Sequence, residues 1–248
     1  LHSFPTRRSS DLHIGHSLRM SHRLASLPAC GSETRIDVLA SWVQLMPTNP
    51  RCRVDPPVAP TKSARRPAEA CEVGFSARAI VDAGSMCPVV SVKRSGGADF
   101  VKEMEKRSTA PAFAAISTCH ATLTGHDIRS ITIGNGKAIP MPEVSSRGMD
   151  PAKLVVLGDT GCRANCDRST WAFGSVAQRA SQELAKESGV VIHVGDFQYK
   201  SPDDWPAWRN YFFEPAQSLL AAAPWIMVRG NRELLQRAWS LGVQPILH

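Results

Sequence analysis

After residue 150, three glycines are each followed by a side chain that can hold a hard cation: Gly158-Asp159, Gly195-Asp196 and Gly230-Asn231. Two carboxylates and a carboxamide are oxygen donors suited to divalent or trivalent metals. A carboxylate has two oxygens, so one aspartate can bridge two ions about 3.5–4 Å apart, an arrangement used to cleave phosphate esters. A single Gly-Asp step is a common turn, and Asn231 alone reads equally well as a turn residue that tolerates left-handed backbone. The signal lies in the repetition. Arg163, close behind Asp159, adds a cation that could contact phosphate on the same rim; simple solvent exposure is the other reading.

For these side chains to meet, each must sit at the end of its own strand along one sheet edge. KLVVLG (153–158), GVVIHVG (189–195) and PWIMVRG (224–230) are short apolar runs of the buried-strand type. Between the first two, Phe173, Val176, Ala177, Ala180 and Leu184 form one helical face. Before the third, Asp204 can cap a helix with Pro206 in its first turn, running towards Leu219 and Leu220. Such a β-α-β-α-β series predicts parallel strands with right-handed crossovers. Their C-terminal ends then line the edge where open α/β sheets bind ligands. Glycine lets each chain turn sharply enough to aim the next side chain into that crevice.

Upstream the pattern differs. FSARAIVDA, CPVVSVKR, FAAISTCHATL and IRSITIGNG are β-branched stretches broken by Gly, Pro and Asp, as in a small antiparallel β domain. IPMPEVSSRGMDP, near 139–151, reads as a linker, and residues 13–73, punctuated by PTNP and DPPVAP, read as loop or disorder. The expected division is a lead at 1–73, a small β domain at 74–145 and an α/β part at 151–248. Within the lead, HSFPTRRSSDL resembles the conceptual translation of a sequencing adapter and is set aside from fold reasoning.

The net charge is +7, but the lead alone holds ten Lys/Arg against six Asp/Glu, so the excess does not mark a functional surface. With no nucleic-acid motif beside it, nucleic acid is not an expected partner. No run reaches the roughly 18 apolar residues needed to span a bilayer, and no signal peptide is visible. The seven cysteines, an odd number at irregular spacing, do not read as a disulfide framework. Cys87 and Cys119 lie in expected strands and could pair or stay as buried thiols. Cys162 and Cys166 could be a redox pair or a loop pair without function. Oligomeric state is not legible.

GDTG, GDFQY and GNRE resemble the GDxG, GDxxY and GNHE blocks of calcineurin-like metallophosphoesterases, in particular the purple acid phosphatase branch. The resemblance covers roughly 75–239. It implies a metallophosphoesterase α/β sandwich, present in part, behind a small antiparallel β domain and a disordered lead. It further implies that Asp159 binds one metal, Asp196 bridges two, Tyr199 binds iron through its phenolate and Asn231 binds the second metal. The cofactors implied are two divalent or trivalent ions, iron paired with zinc, manganese or iron, and the substrate is a phosphate mono- or diester. A periplasmic or secreted location is compatible with it.

Two departures stand out. Where the family has a histidine that helps protonate the leaving group, this chain has Arg232. An arginine can grip phosphate bidentately, but it holds its proton to above about pH 12 and is no proton donor near neutrality. The family's further histidine ligands, including a GHxH block, have no counterpart before His248, so the expectation is a truncated chain with an incomplete site. The alternatives to an active hydrolase are a non-catalytic remnant and a phosphate-binding module that uses Arg232 and Arg163. His193, inside an apolar strand, is expected to be a satisfied core residue. His120 and His126 are assigned to no metal. Trp205, Trp208, Tyr211, Phe212 and Phe213 are too dense for one helical stripe and are expected to pack core or interface.

Overall fold

In the computed structural model the described residues are 36–47, 73–145, 148–163, 166–167, 169–200 and 204–233. The adapter-like residues and the last fifteen residues lie outside them. All described residues fall in the unit Arg35–His248. In chain order the strands before the α/β series are β1 (Val38–Pro47), β2 (Val73–Asp82), β3 (Val89–Arg94), β4 (Phe100–Glu103) and β5 (Glu105–Arg107). They are followed by β6 (Ile116–Thr124), β7 (Ile128–Ile133), β8 (Ile139–Pro140), β9 (Val144–Ser145) and β10 (Gly148–Met149). Then come β11 (Lys153–Leu157), α1 (Phe173–Leu184), β12 (Gly189–His193), α2 (Trp205–Trp208), α3 (Glu214–Leu220) and β13 (Trp225–Met227).

The predicted α/β series is present, and its three strands are parallel neighbours in the order β11-β12-β13. Their ends are in register, with Leu157 opposite His193 and His193 opposite Met227. That register sets the site, because each Gly-Asp or Gly-Asn step follows within four residues of the same level. Asp204 caps α2 as predicted, its carboxylate accepting from the Ala207 N–H.

Strand β1 corrects the expected disordered lead over 38–47. Both of its faces are buried, Trp42 on one and Val43 and Leu45 on the other, so its apolar run carries no clean period. It lies parallel to β13 and antiparallel to β2, and β2 continues through β6 to β5, making one seven-stranded sheet. The antiparallel region is thus shared: β2, β5 and β6 extend the α/β sheet, while β4-β3-β7-β8 form a separate four-stranded sheet. The stretch read as a linker carries β8 to β10, with Ile139 and Met141 buried.

One core packs α1, α3 and their aromatic neighbours on one face of the large sheet; the second lies between the two sheets. The Cys87–Cys119 disulfide joins the sheets across this second core, with Cys87 just ahead of β3 rather than within it. Trp205, Trp208, Phe212 and Phe213 pack in the core, as expected, while Tyr211 is half-buried against Trp171. A single π-turn, Arg209–Phe213, links α2 to α3 and widens the turn so that Phe212 and Phe213 both point inward.

Candidate metal centre

The backbone of the site departs from ordinary strand ends. Asp159 (φ 53°) and Asp196 (φ 57°) are the two non-glycine residues with left-handed backbone among those described. This conformation crowds Cβ against the carbonyl, and aspartate is one of the few residues that visits it routinely. Gly195 (φ 105°) turns directly against Gly230: a Cβ on Gly195 would strike the Gly230 backbone, and one on Gly230 would strike the Asp196 carboxylate. The second and third loops therefore touch through two glycines.

Glu233 fixes that contact. Its Oε2 accepts from the backbone N–H groups of Asp196 at 3.0 Å and Gly230 at 2.7 Å, and its Oε1 accepts from Phe197 at 2.9 Å. The carboxyl is buried, and burial pushes its pKa up while the three N–H donors pull it down. Sequence reasoning quoted GNRE but gave this glutamate no role. Its position, three residues after Gly230 and two after Asn231, was the available signal.

His193 is the satisfied core histidine expected. Gly195 N–H donates to its Nδ1 at 3.1 Å, so the ring proton of the neutral form sits on Nε2. That N–H faces the Thr160 hydroxyl at 2.8 Å, and Thr160 in turn donates to the Phe197 carbonyl at 3.4 Å. Burial drives the His193 pKa down to about 3, against the opposing charge of Asp159. The ring is a neutral strut between the first two loops.

The side chains converge. Tyr199 O–H donates to Asp159 Oδ1 at 2.5 Å and lies 3.1 Å from Asp196 Oδ2. Burial, then these two carboxylates, raise the phenol well above its ordinary pKa. Arg232 N–H donates to Asp196 Oδ1 at 3.0 Å. The guanidinium carbons of Arg163 and Arg232 stand 5.6 and 5.3 Å from the Tyr199 ring centre. Together Asp159, Arg163, Asp196, Tyr199, Asn231 and Arg232 line a cleft of about 410 Å³. These are the six residues expected from sequence. His120 on β6, by contrast, faces the Glu105 carbonyl of β5, and neither it nor His126 lines the cleft.

The donor set fits a cation. Turned one way, the Asn231 amide NH₂ donates to Asp196 at 2.9 and 3.1 Å; turned the other, its oxygen faces only carboxylate oxygens. The hydrogen bonds favour the first orientation, and the cleft's oxygen donors are then the Asp159 and Asp196 carboxylates and the Tyr199 phenol, with the Asn231 amide oxygen reached by turning the amide over. The set is mixed: among the described residues no three His, Cys, Asp or Glu gather to hold a metal unaided. Behind Asp159 the loop is braced by the Cys162–Cys166 disulfide, which flanks Arg163, and by Trp171, whose indole N–H donates to the Thr160 carbonyl at 3.1 Å.

Residues 152–246 match the model of the calcineurin-like phosphoesterase family. Among solved structures, purple acid phosphatase PPD1 from seeds of yellow lupin (Lupinus luteus) aligns at 15% identity, TM-score 0.41, over 64% of this chain. The aligned part is 33% of the lupin chain, so this chain spans about a third of that protein's length. No curated protein matches. The match to the calcineurin-like phosphoesterase model thus takes in the strand ends that carry Asp159, Asp196 and Asn231, and what it shows is a likeness over that segment.

Proposed function

We propose that the cleft hydrolyses phosphate esters, mono- or diesters, with two metal ions held by Asp159, Asp196, Tyr199 and Asn231. The observation that carries this reading is the convergence of those oxygen donors at the ends of three adjacent parallel strands, beside two arginines. Asp196 stands between the other donors, its Oδ2 towards Tyr199 and its Oδ1 accepting from the Arg232 backbone N–H, and would be the carboxylate shared by the two ions when they are bound. Bound cations of this kind lower the pKa of water to near neutrality and polarise the phosphoryl oxygens.

The chain's own residues have separate tasks. Asp159 and Asp196 supply the negative charge, and Tyr199 must give up its proton to join them. The Arg163 and Arg232 guanidiniums bind phosphoryl oxygens and neutralise the charge that develops on them. Arg232 stands where the resemblance implies a histidine. A guanidinium stabilises a departing oxyanion without protonating it, so esters with acidic alcohols are the favoured substrates. Two disulfides support an oxidising compartment, periplasmic or secreted, as the place of action.

The test is to measure iron, zinc and manganese in the purified protein alongside p-nitrophenyl phosphate turnover. Turnover that requires metal and disappears in Asp196→Asn supports the enzyme. Phosphate affinity without turnover supports a binding module, and absence of both leaves the cleft as a non-catalytic remnant.

A further inference from the structure

Away from the cleft, the large sheet buries positive charge that no carboxylate among the described residues answers. Arg78 on β2 is 3% exposed, and its Nε and Nη1 have no hydrogen-bond partner; Nη2 has only the Met46 sulfur at 3.9 Å. Arg107, on the edge strand β5, also has a buried, unpartnered Nη1. Register places the two on one face. Arg78 pairs with His120 on β6, and Thr118, two residues from His120, pairs with Arg107. Paired residues and alternate residues of a strand share a face. Trp42, which pairs with Arg78, and Thr118 carry an unpartnered indole N–H and hydroxyl on that face. All five of these atoms can donate a hydrogen bond, and none has an acceptor among the described residues; the Ser76 hydroxyl and the Gln44 side chain are buried two residues along on the same face.

A buried guanidinium left unpaired is costly, and the charge of a second, half-buried one across the intervening strand β6 makes it worse. Burial, and then the neighbouring Arg107 charge, lower the Arg78 pKa to about 9, which still leaves it charged at neutral pH. The closest acid by register is Glu105, opposite His120 on β5, but it is exposed and forms no ion pair with either arginine. Arg107 and His120 are half-buried towards the β5 edge, so the face opens there and Arg78 lies one strand further in.

We propose that Arg78, Arg107 and Thr118 form a second oxyanion site, separate from the cleft, that takes a tetrahedral dianion such as inorganic phosphate or sulfate. Two guanidiniums match two negative charges, and the hydroxyl and indole donors supply the remaining hydrogen bonds. The proposal does not depend on the phosphoesterase reading.

The experiment is thermal unfolding in inorganic phosphate, against chloride at equal ionic strength, with a metal chelator present and in the Arg163→Ala/Arg232→Ala background, where the cleft has lost its guanidiniums and any metal. A rise in apparent Tm of a few degrees at saturating phosphate is expected. Adding Arg78→Met should abolish that rise while leaving the anion-free protein at least as stable, because an unpaired buried charge is removed. Arg107→Met, nearer the edge, should weaken phosphate at least tenfold and covers the case in which Arg78→Met does not fold. No phosphate response in the cleft background, or one that both methionine variants retain, overturns the site. An equal response to acetate overturns the assignment to a dianion.

Discussion

The Glu233 carboxylate holds the backbone N–H of Asp196 at 3.0 Å, so a residue of the third loop sets the angle of an aspartate in the second. The same oxygen holds Gly230, directly before Asn231, at 2.7 Å. One buried group thereby fixes two of the proposed metal ligands relative to each other. In Glu233→Gln, one of the three N–H groups must face an NH₂ rather than an oxygen. The expected loss is about 1–3 kcal/mol of stability in urea unfolding, the cost of an unsatisfied buried donor. Metal affinity should fall in the same variant, since Asp196 and Asn231 lose their common anchor. Unchanged stability would show that the carboxylate is dispensable.

The left-handed backbone of Asp159 makes a second prediction. Replacing it removes a proposed ligand in either case, but glycine suits φ 53° and alanine does not. Asp159→Gly should therefore be more stable than Asp159→Ala by about 1 kcal/mol, with metal binding weakened equally in both. Urea midpoints of the two variants provide the measurement. Equal midpoints would mean that the turn stores no backbone strain.

Much of this site was legible because its parts are local. Each ligand type follows a short apolar strand and a glycine, and three parallel strands ending in register bring Asp159, Asp196 and Asn231 together without further information. Glu233 was not legible in the same way. Its partners, Asp196 and Phe197, are 37 and 36 residues away, and only the loop contact at Gly195 and Gly230 brings them near. Strand β1 was missed for a related reason: a central strand buried on both faces has no alternation to read, and its partner β13 is almost at the far end of the described chain. The π-turn at 209–213 is a third case. The sequence showed that Trp208, Phe212 and Phe213 could not share a regular stripe, but not that one widened turn would seat them all.

Acid should reveal His193. Its pKa is about 3 in the folded chain, against about 6.5 for an unperturbed histidine. Between those values the unfolded chain binds a proton that the folded chain refuses, so stability falls as pH drops below about 6.5 and continues to fall towards pH 3. The limiting slope is about 1.4 kcal/mol per pH unit. His193→Gln retains an amide N–H for Thr160 and cannot protonate, so its stability should decline less between pH 6.5 and 5. Urea unfolding at several pH values in this window checks it, and parallel curves for the two proteins would assign the acid sensitivity to other groups.

Phe212 is the residue through which the helical layer reaches the site. Its ring meets Phe197 edge-on at 5.0 Å, His193 at 5.8 Å and Trp225 at 6.1 Å, and lies stacked 6.1 Å from Phe173. It therefore touches the strut histidine and the residue that follows Asp196, while α1 and β13 close around it. Phe212→Ala should cost about 3–5 kcal/mol, the transfer term plus that of a cavity the surrounding rings cannot fill. Phe212→Leu, which keeps most of the volume, should cost less than half as much. Because the cavity opens beneath Phe197 and His193, the alanine variant should also bind metal more weakly at temperatures where it remains folded, whereas the leucine variant should not. Denaturant unfolding gives the first comparison and metal titration of the folded protein the second. A leucine variant as unstable as alanine would show that ring shape, rather than filled volume, holds this layer against the sheet.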